Sequence, residues 1–507
     1  MVGFFYCPEK FSKGEFYMEG KILESVLGEF EKIAQIPRPS KHERKVSDYL
    51  CARLNDLGLK GEQDSNFNII ADLDASPGFE NSPRTILQAH MDMVCVAEPN
   101  VKFNPLEDPI KLERSEKFLT AQGTSLGADD GIGIAIILHI LKTIKNHGAI
   151  RVIFTTDEEV GMTGANNLDE KFVADADFMI NCDSETFDEV IVSSAGSVNL
   201  DFSKRVEKIP PACENFFEIK IDGLLGGHSG EKIHENRANA IRLLAFTMIS
   251  MKRKAVELDK ILNISEFNGG EARNSIPSKA SAIISTQLTL DELETLTKEL
   301  NARFLAMYDI DSGIKLHVRE VDSAGRKIFK SEDATSLIRL ITIIHVGVYA
   351  MVSYEKDVEQ IVETSANLGL VSTHEDSIAV NYFPRSSVDG KLDSFYQLAE
   401  DVADLTEFEV LIMNRSPAWQ KNPNSKLTTL ACDIFKSQND QTMKIKSIHA
   451  GLECGYFAMK NPKLNIISLG TTNEAIHSPQ EKLHLDTIVP QVNLISTLLE
   501  RIAGGSI

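Results

Sequence analysis

The sequence predicts an α/β protein, a mixed sheet flanked by helices, into which a second domain of α+β type is inserted. Three observations carry this. At 507 residues the chain exceeds what one hydrophobic core supports, so two compact units are expected. Up to about Ser194, strand-like apolar runs alternate with helical patterns, as in a sheet covered on both faces. Beyond that point, alternating strands separated by helices suggest an antiparallel sheet with helices on one face, and from about Asp393 the first texture resumes. The expected division is 18–196 and 393–507 for the first domain and 197–392 for the insertion.

In chain order, an amphipathic helix over Lys21–Ala34 ends at the Pro37-Arg38-Pro39 breaker, and a second helix covers about His42–Leu57. Strands follow at NIIADLD (68–74), TILQAHMDM (from Thr85) and AIRVIFTT (149–156), with the apolar helix Ile132–Ile144 between the last two. The insertion contains FFEIKIDGL (216–224), ILNISEF (261–267), SAIISTQLTL (281–290), IKLHVREV (314–321) and SIAVNYF (377–383), with helices near 235–255, 291–306 and 332–345. The opening stretch MVGFFYCPEKFSKGEFY offers no cap, period or partner strand. Met18 is a candidate initiator, because the residues after it open directly into the first helix. The alternative is an N-terminal arm that packs Phe4, Phe5 and Tyr6 on a neighbouring surface.

Composition narrows the partners. Hydrophobic content of 42% and charged content of 25% are those of an ordinary globular protein. With 53 basic and 74 acidic residues the net charge is −21, which argues against nucleic acid or anionic membranes as partners. The 7 cysteines are odd in number and show no CxxC spacing, so neither a disulfide framework nor a zinc ribbon is expected, and a cytoplasmic location is. The N-terminal apolar run is too short for a signal peptide, and no segment reaches the roughly 18 apolar residues of a membrane span.

Five side chains able to bind zinc occur in the order His90, Asp129, Glu159, Asp183 and His477. They lie within QAHMDMV (88–94), GTSLGADDGIG (123–133), TTDEEVGMTGA (155–165), INCDSE (180–185) and AIHSP (475–479). Two zinc ions roughly 3.5–4 Å apart need about this inventory: a bridging carboxylate, one His and one carboxylate for each ion, and a nearby acid to handle the proton of an attacking water. His90, Glu158, Glu159 and Asp183 each follow a predicted strand, where sites in α/β sheets form. His90 and Asp92 share one strand face, so Asp92 can fix the imidazole tautomer. Taken singly, each motif has an ordinary alternative. A strand-end His is often structural, the Asp129-Asp130-Gly131 turn can be a helix N-cap, and Glu158-Glu159 can be a solvated pair. Asp183 and His477 alone are uninformative. GGHSGE has Glu231 where a nucleophile elbow needs Gly, and GTSLGADDGIG is out of register for a dinucleotide fingerprint.

Taken together, these motifs resemble the M20 family of di-zinc peptidases, its bacterial aminoacyl-histidine dipeptidase (Xaa-His, carnosinase-like) branch above all. The resemblance covers the chain from about residue 20 to the end. It also rests on IPRPSKHE (36–43), GGHSGEKIHENRANA (226–240), FNGGEARNSIP (267–277), HAGLECG (449–455) and HSPQEKLH (477–484). It implies a zinc-peptidase catalytic domain with an inserted α+β lid domain, and two Zn2+ per chain, for which Mn2+ or Co2+ can substitute. Asp129 would bridge the ions, His90 and Asp183 complete one site, and Glu159 and His477 complete the other. Glu158 matches the general base and Asp92 the acid behind His90. His228, Asn274 and Arg385 of the insertion match substrate contacts, and so does Gly451 of the catalytic domain.

The implied activity is hydrolysis of small peptides, Xaa-His dipeptides preferentially, by a cytoplasmic hydrolase expected to form a homodimer. His228 and one ion would stabilise the oxyanion as the insertion closes, and Arg385 would fork the substrate carboxylate. Two other classes stay open. One is another M20-type amidohydrolase (tripeptidase, carboxypeptidase or deacylase), and the other is a non-catalytic metal-binding protein, against which the complete ligand set argues. Two departures stand out. Asp130 occupies a position where close relatives carry Asn, and Glu235–Arg237 replaces a Gly-rich stretch.

Overall fold

The structure, a computed structural model, describes residues 13–352 and 361–507. The expectations for Phe4, Phe5 and Tyr6 lie outside these residues. Among the described residues, no helix is long and apolar enough to cross a membrane.

The chain divides into two compact units. Of the described residues, one comprises those up to Ser193 with Lys421–Ser447 and Glu453–Ile507; the other comprises those of Ser194–Gln420 with Ile448–Leu452.

In the first unit an eight-stranded sheet runs in the order Gly61–Gln63, Ile69–Leu73, Ile150–Thr155, Thr85–His90, Phe178–Asn181, Asn465–Ser468, Glu189–Ser194, Lys444–Ile448. Its central four strands are parallel, and those flanking them with described pairings are antiparallel, so the sheet is mixed. The sequences IRVIFT, TILQAH and FMIN are buried at every position, as parallel strands covered on both faces must be. Helices Lys13–Ala34, Ala128–Thr143, Lys426–Asn439 and Ile488–Ala503 supply the cover. Val26, Phe30 and Ile33, then Ile134 and Ile137, then Leu494 and Leu498, join Leu87, Phe154 and Ile180 in one core. The first helix starts eight residues before the expected Lys21 (21 − 13).

The second unit is a nine-stranded antiparallel sheet: Lys315–Val321, Phe216–Asp222, Ala280–Thr286, Leu262–Gly269, Ile361–Thr373, Ser377–Ser386, Gly196–Arg205 and Glu409–Ser416, with Gly347–Val352 also on Ile361–Thr373. Residues two apart, such as Phe217, Ile219 and Ile221 or Val198, Leu200 and Phe202, point into one core shared with helices Ala240–Glu257, Leu290–Met307, Ser331–Ile343 and Asp389–Thr406. This unit runs past the expected limit of 392. Asp389–Thr406 and Glu409–Ser416 look locally like a return to the first texture, yet Glu409–Ser416 pairs with Gly196–Arg205 and the helix packs against the same sheet. Gly451, expected in the catalytic domain, also groups with the second unit. The Ala195 N–H donates to the Ile448 and Ala450 carbonyls and ties that segment to the start of the Gly196–Arg205 strand.

Candidate metal centre and substrate-contact residues

The carboxyl ends of the first unit's parallel strands carry the metal-ligand candidates. His90 is the last residue of Thr85–His90. Asp183 follows Phe178–Asn181 by two residues, and Glu158 and Glu159 follow Ile150–Thr155 by three and four. Asp129 opens helix Ala128–Thr143 with non-helical φ/ψ, after Gly127 at φ +70°. His477 lies between Asn473–Glu474 and Lys482–His484, strands of a small four-stranded sheet.

These elements bring the five side chains into two groups that share one carboxylate. His90 Nε2 is 2.9 Å from Asp129 Oδ1 and 3.4 Å from Asp183 Oδ1. His477 Nε2 is 3.2 Å from the other oxygen, Asp129 Oδ2, and 2.9 Å from Glu159 Oε2. In each group the three candidate ligand atoms lie within 4.8 Å of one another. His90 is 1% exposed and His477 44%, so the second group is the one that opens to solvent.

Charge decides what this arrangement fits. Burial opposes ionisation of Asp129, but His477 and His90 hold its carboxyl far below the usual range. Burial also opposes the charge of His477, and Asp129 and Glu159 outweigh it, pushing the imidazole up to about 11. Asp183, Glu158 and Asp130 are raised by burial first and then by neighbouring carboxylates. Glu159 is raised by burial as well, and its Oε1 is buried without a hydrogen-bond partner among the described residues. This surplus of buried carboxyls over imidazoles calls for cations. Three carboxylates and two imidazoles suit zinc, manganese or cobalt.

Supporting contacts place these groups. Asp92 Oδ1 is 3.4 Å from His90 Nδ1. The Asp92 carboxylate accepts from Ser40 Oγ at 2.7 Å and from the Glu158 and Glu159 N–H groups at 3.0 and 3.2 Å, so it fixes the imidazole and the Glu158 loop together. Below them, Glu453 accepts from Gln88 Nε2 at 2.7 Å and Thr155 Oγ1 at 2.6 Å, while Asn181 Nδ2 donates to Gln88 Oε1. Burial pushes the Glu453 carboxyl up to about 7. Glu43 accepts from the Asp157 N–H at 2.8 Å. Gln88, Glu453 and Glu43 escaped the sequence reading, since most of their partners are main-chain groups or distant residues that no local pattern reveals. Asp130 is 1% exposed and fills the space beside Gly133, where an added Cβ would lie 2.1 Å from its Oδ1.

The second unit groups the expected substrate contacts around one strand. His228 pairs with Ser275, and the Ser229 N–H donates to the Asn274 carbonyl at 2.7 Å. Asn367 Nδ2 donates to the Arg273 and Ser275 carbonyls and holds this turn. Two residues earlier on the same face, Ser365 lies opposite Arg385, and its hydroxyl is 2.7 Å from His449 Nε2. A Cβ on Gly230 would lie 2.6 Å from the His449 carbonyl oxygen, so the GGHSG turn can approach the 449–451 segment only with glycine there. Arg385 is 6% exposed and stacks on Phe383. Among the described residues no carboxylate pairs with it, and burial lowers it to about 10. Glu235–Arg237 forms an internal ion pair at 2.5 Å, from which Arg237 also donates to the Gly226 carbonyl.

The chain is similar to known proteins over most of its length. The family model for peptidase family M20/M25/M40 matches residues 86–501. The cytosol non-specific dipeptidase of Escherichia coli K12 is 33% identical over 482 residues, 93% of this chain and 96% of that one. The crystal structure of aminoacylhistidine dipeptidase from Vibrio alginolyticus superposes with a TM-score of 0.80 at 32% identity, covering 94% of this chain and 96% of that chain. The aminopeptidase PepT of Bacillus cereus, at 16% identity, TM-score 0.55 and coverage of 95% and 99%, shares the fold.

Proposed function

The chain belongs to peptidase family M20/M25/M40, and from that premise we propose that it hydrolyses dipeptides, Xaa-His preferentially, using two divalent cations and Glu158 as general base. The carrying observation is the pair of ligand groups joined through the two oxygens of Asp129. Two ions bound there would polarise the scissile carbonyl and acidify a water. His90 and Asp183 would hold one, Glu159 and His477 the other. Glu158 takes the proton of the attacking water on its carboxylate and returns it to the leaving amine; burial raises its proton affinity in the direction a base requires. Asp92 keeps His90 oriented and, through the Glu158 and Glu159 N–H groups, keeps the base in register.

Recognition of the substrate carboxylate we assign to Arg385, supported by its burial without a carboxylate partner among the described residues. His228, Asn274 and Gly451 complete the contact set. The Xaa-His preference follows the Vibrio relative, and a cytoplasmic location follows the Escherichia coli one, with free cysteines in accord.

The test is a substrate panel on zinc-reconstituted protein: Xaa-His dipeptides, other dipeptides, tripeptides and N-acyl amino acids. Highest kcat/KM on Xaa-His dipeptides is expected. Tripeptides or N-acyl amino acids as the best substrates would overturn the dipeptidase assignment, and equal rates on all dipeptides would remove the histidine preference alone.

A further inference from the structure

We propose that Arg38 and Glu481 are positioning residues that clamp the Leu126–Ala128 turn from opposite sides and thereby let Asp129 serve both ligand groups. The inference rests on the two-cation reading above.

On the amide side of the turn, Glu481 Oε2 accepts from the N–H groups of Leu126 at 2.7 Å and Gly127 at 3.0 Å, and its Oε1 accepts from Ala128 at 2.8 Å. Three consecutive amides are thus met by one carboxylate that is 3% exposed. On the carbonyl side, the Arg38 guanidinium donates through Nη2 to the Gly127 oxygen at 2.5 Å and through Nη1 to the Met91 and Asp92 oxygens at 2.8 Å each. Arg38 is among the largest fully buried side chains of the protein.

The local sequence is shaped around this contact. An added Cβ would lie 2.7 Å from Arg38 Nη2 at Gly127 and 2.6 Å from it at Gly131, and Gly127 has φ +70°. Glycines on both sides of Asp129-Asp130 therefore make room for the guanidinium.

The clamp joins elements that are far apart in sequence. Glu481 sits four residues after His477 (481 − 477) in the same loop, so its three bonds tie the His477 loop to the turn that presents Asp129. Arg38 ties that turn to Met91 and Asp92, the residues that follow His90. Neither side chain is among the candidate ligands. Both act through backbone that carries ligands, and such contacts behind a metal site are worth about 10- to 100-fold in affinity or activity.

The experiment measures zinc bound per chain by elemental analysis after equilibrium dialysis over a range of free Zn2+, with the Tm of the metal-free proteins alongside. Wild type is expected to bind two ions. Glu481→Gln keeps one acceptor oxygen but turns an NH2 toward a backbone N–H. It should bind one ion near wild-type affinity and the other about 10- to 100-fold more weakly, with kcat/KM recovering as free Zn2+ rises. Arg38→Lys, which replaces a fork with a point donor, should weaken both ions, because Arg38 holds the residues behind His90 as well. It carries the test should Glu481→Gln fail to fold. Variants that bind both ions as wild type does, whatever their Tm, would overturn the proposal. A wild-type protein that binds fewer than two ions would overturn the two-cation reading beneath it.

Discussion

At Glu158, proton transfer separates from metal binding, because the residue contributes to neither ligand group. Glu158→Ala should retain close to two metals per chain while kcat falls by at least ~10². Elemental analysis beside kinetics checks this, and turnover near wild type would remove Glu158 from the mechanism. Asp129→Ala should empty both groups, since two nearby cations need negative charge between them; one full-strength site with substantial activity would show that the carboxylate does not bridge. In the second unit, Arg385→Ala should flatten the preference for Xaa-His over Xaa-His-amide, and an unchanged kcat/KM ratio would move carboxylate recognition elsewhere. His449 adds a pH effect. Burial first, then the Arg385 charge, depress its imidazole to about 3, against about 6.5 unfolded. The unfolded chain therefore binds the extra proton between these values, and stability is lost as pH falls through that window, by at most about 1.4 kcal/mol per pH unit. The Tm advantage of metal-free wild type over His449→Asn should shrink from pH 7 to pH 4, and a constant gap would contradict the assignment. The candidate ligands were legible in sequence because each lies inside its own short motif, and three of them, His90, Glu159 and Asp183, stand at or just past the end of a strand. Arg38, Glu481 and Glu453 were not assignable, since Arg38 and Glu481 meet backbone groups and Glu453 meets the side chains of Gln88 and Thr155, all of them far away in the sequence.

The elements follow the same division. Strands such as Phe216–Asp222 and Ala280–Thr286 and helices such as Leu290–Met307 were legible because period and caps are local; Thr289 and Glu292 form a capping box at the last of these. The Glu409–Ser416 strand was not assignable to its sheet, because its partner Gly196–Arg205 lies some two hundred residues earlier and pairing is a tertiary fact. The glycine-rich turn before Asp129 gives the element-level prediction. Gly127→Ala puts a Cβ 2.6 Å from Met93 Sδ and 2.7 Å from Arg38 Nη2 at a positive φ. It should cost at least about 1 kcal/mol of stability and reduce zinc binding. Denaturant unfolding with zinc titration decides, and wild-type values in both would mean the turn tolerates displacement.

For the whole molecule, the first unit is interrupted by Ser194–Gln420, and the second unit also takes in Ile448–Leu452, a segment whose grouping no local pattern in the sequence reveals. The ligand candidates all belong to one unit, whose core is distinct from that of the other. Bound cations should therefore stabilise that unit by mass action, about 2.7 kcal/mol at a free concentration of 100 Kd. Chelation should raise amide exchange in peptides around Phe154 and Ile180 and leave those around Ile219 and Ile284 unchanged. The central claim is that two cations sharing Asp129 support dipeptide hydrolysis, and one titration tests it most directly: metal-free protein, Zn2+ added in steps, initial rate on an Xaa-His dipeptide read at each step. The rate should rise to a plateau at two equivalents per chain. A plateau at one equivalent, or full activity before any metal is added, would contradict it.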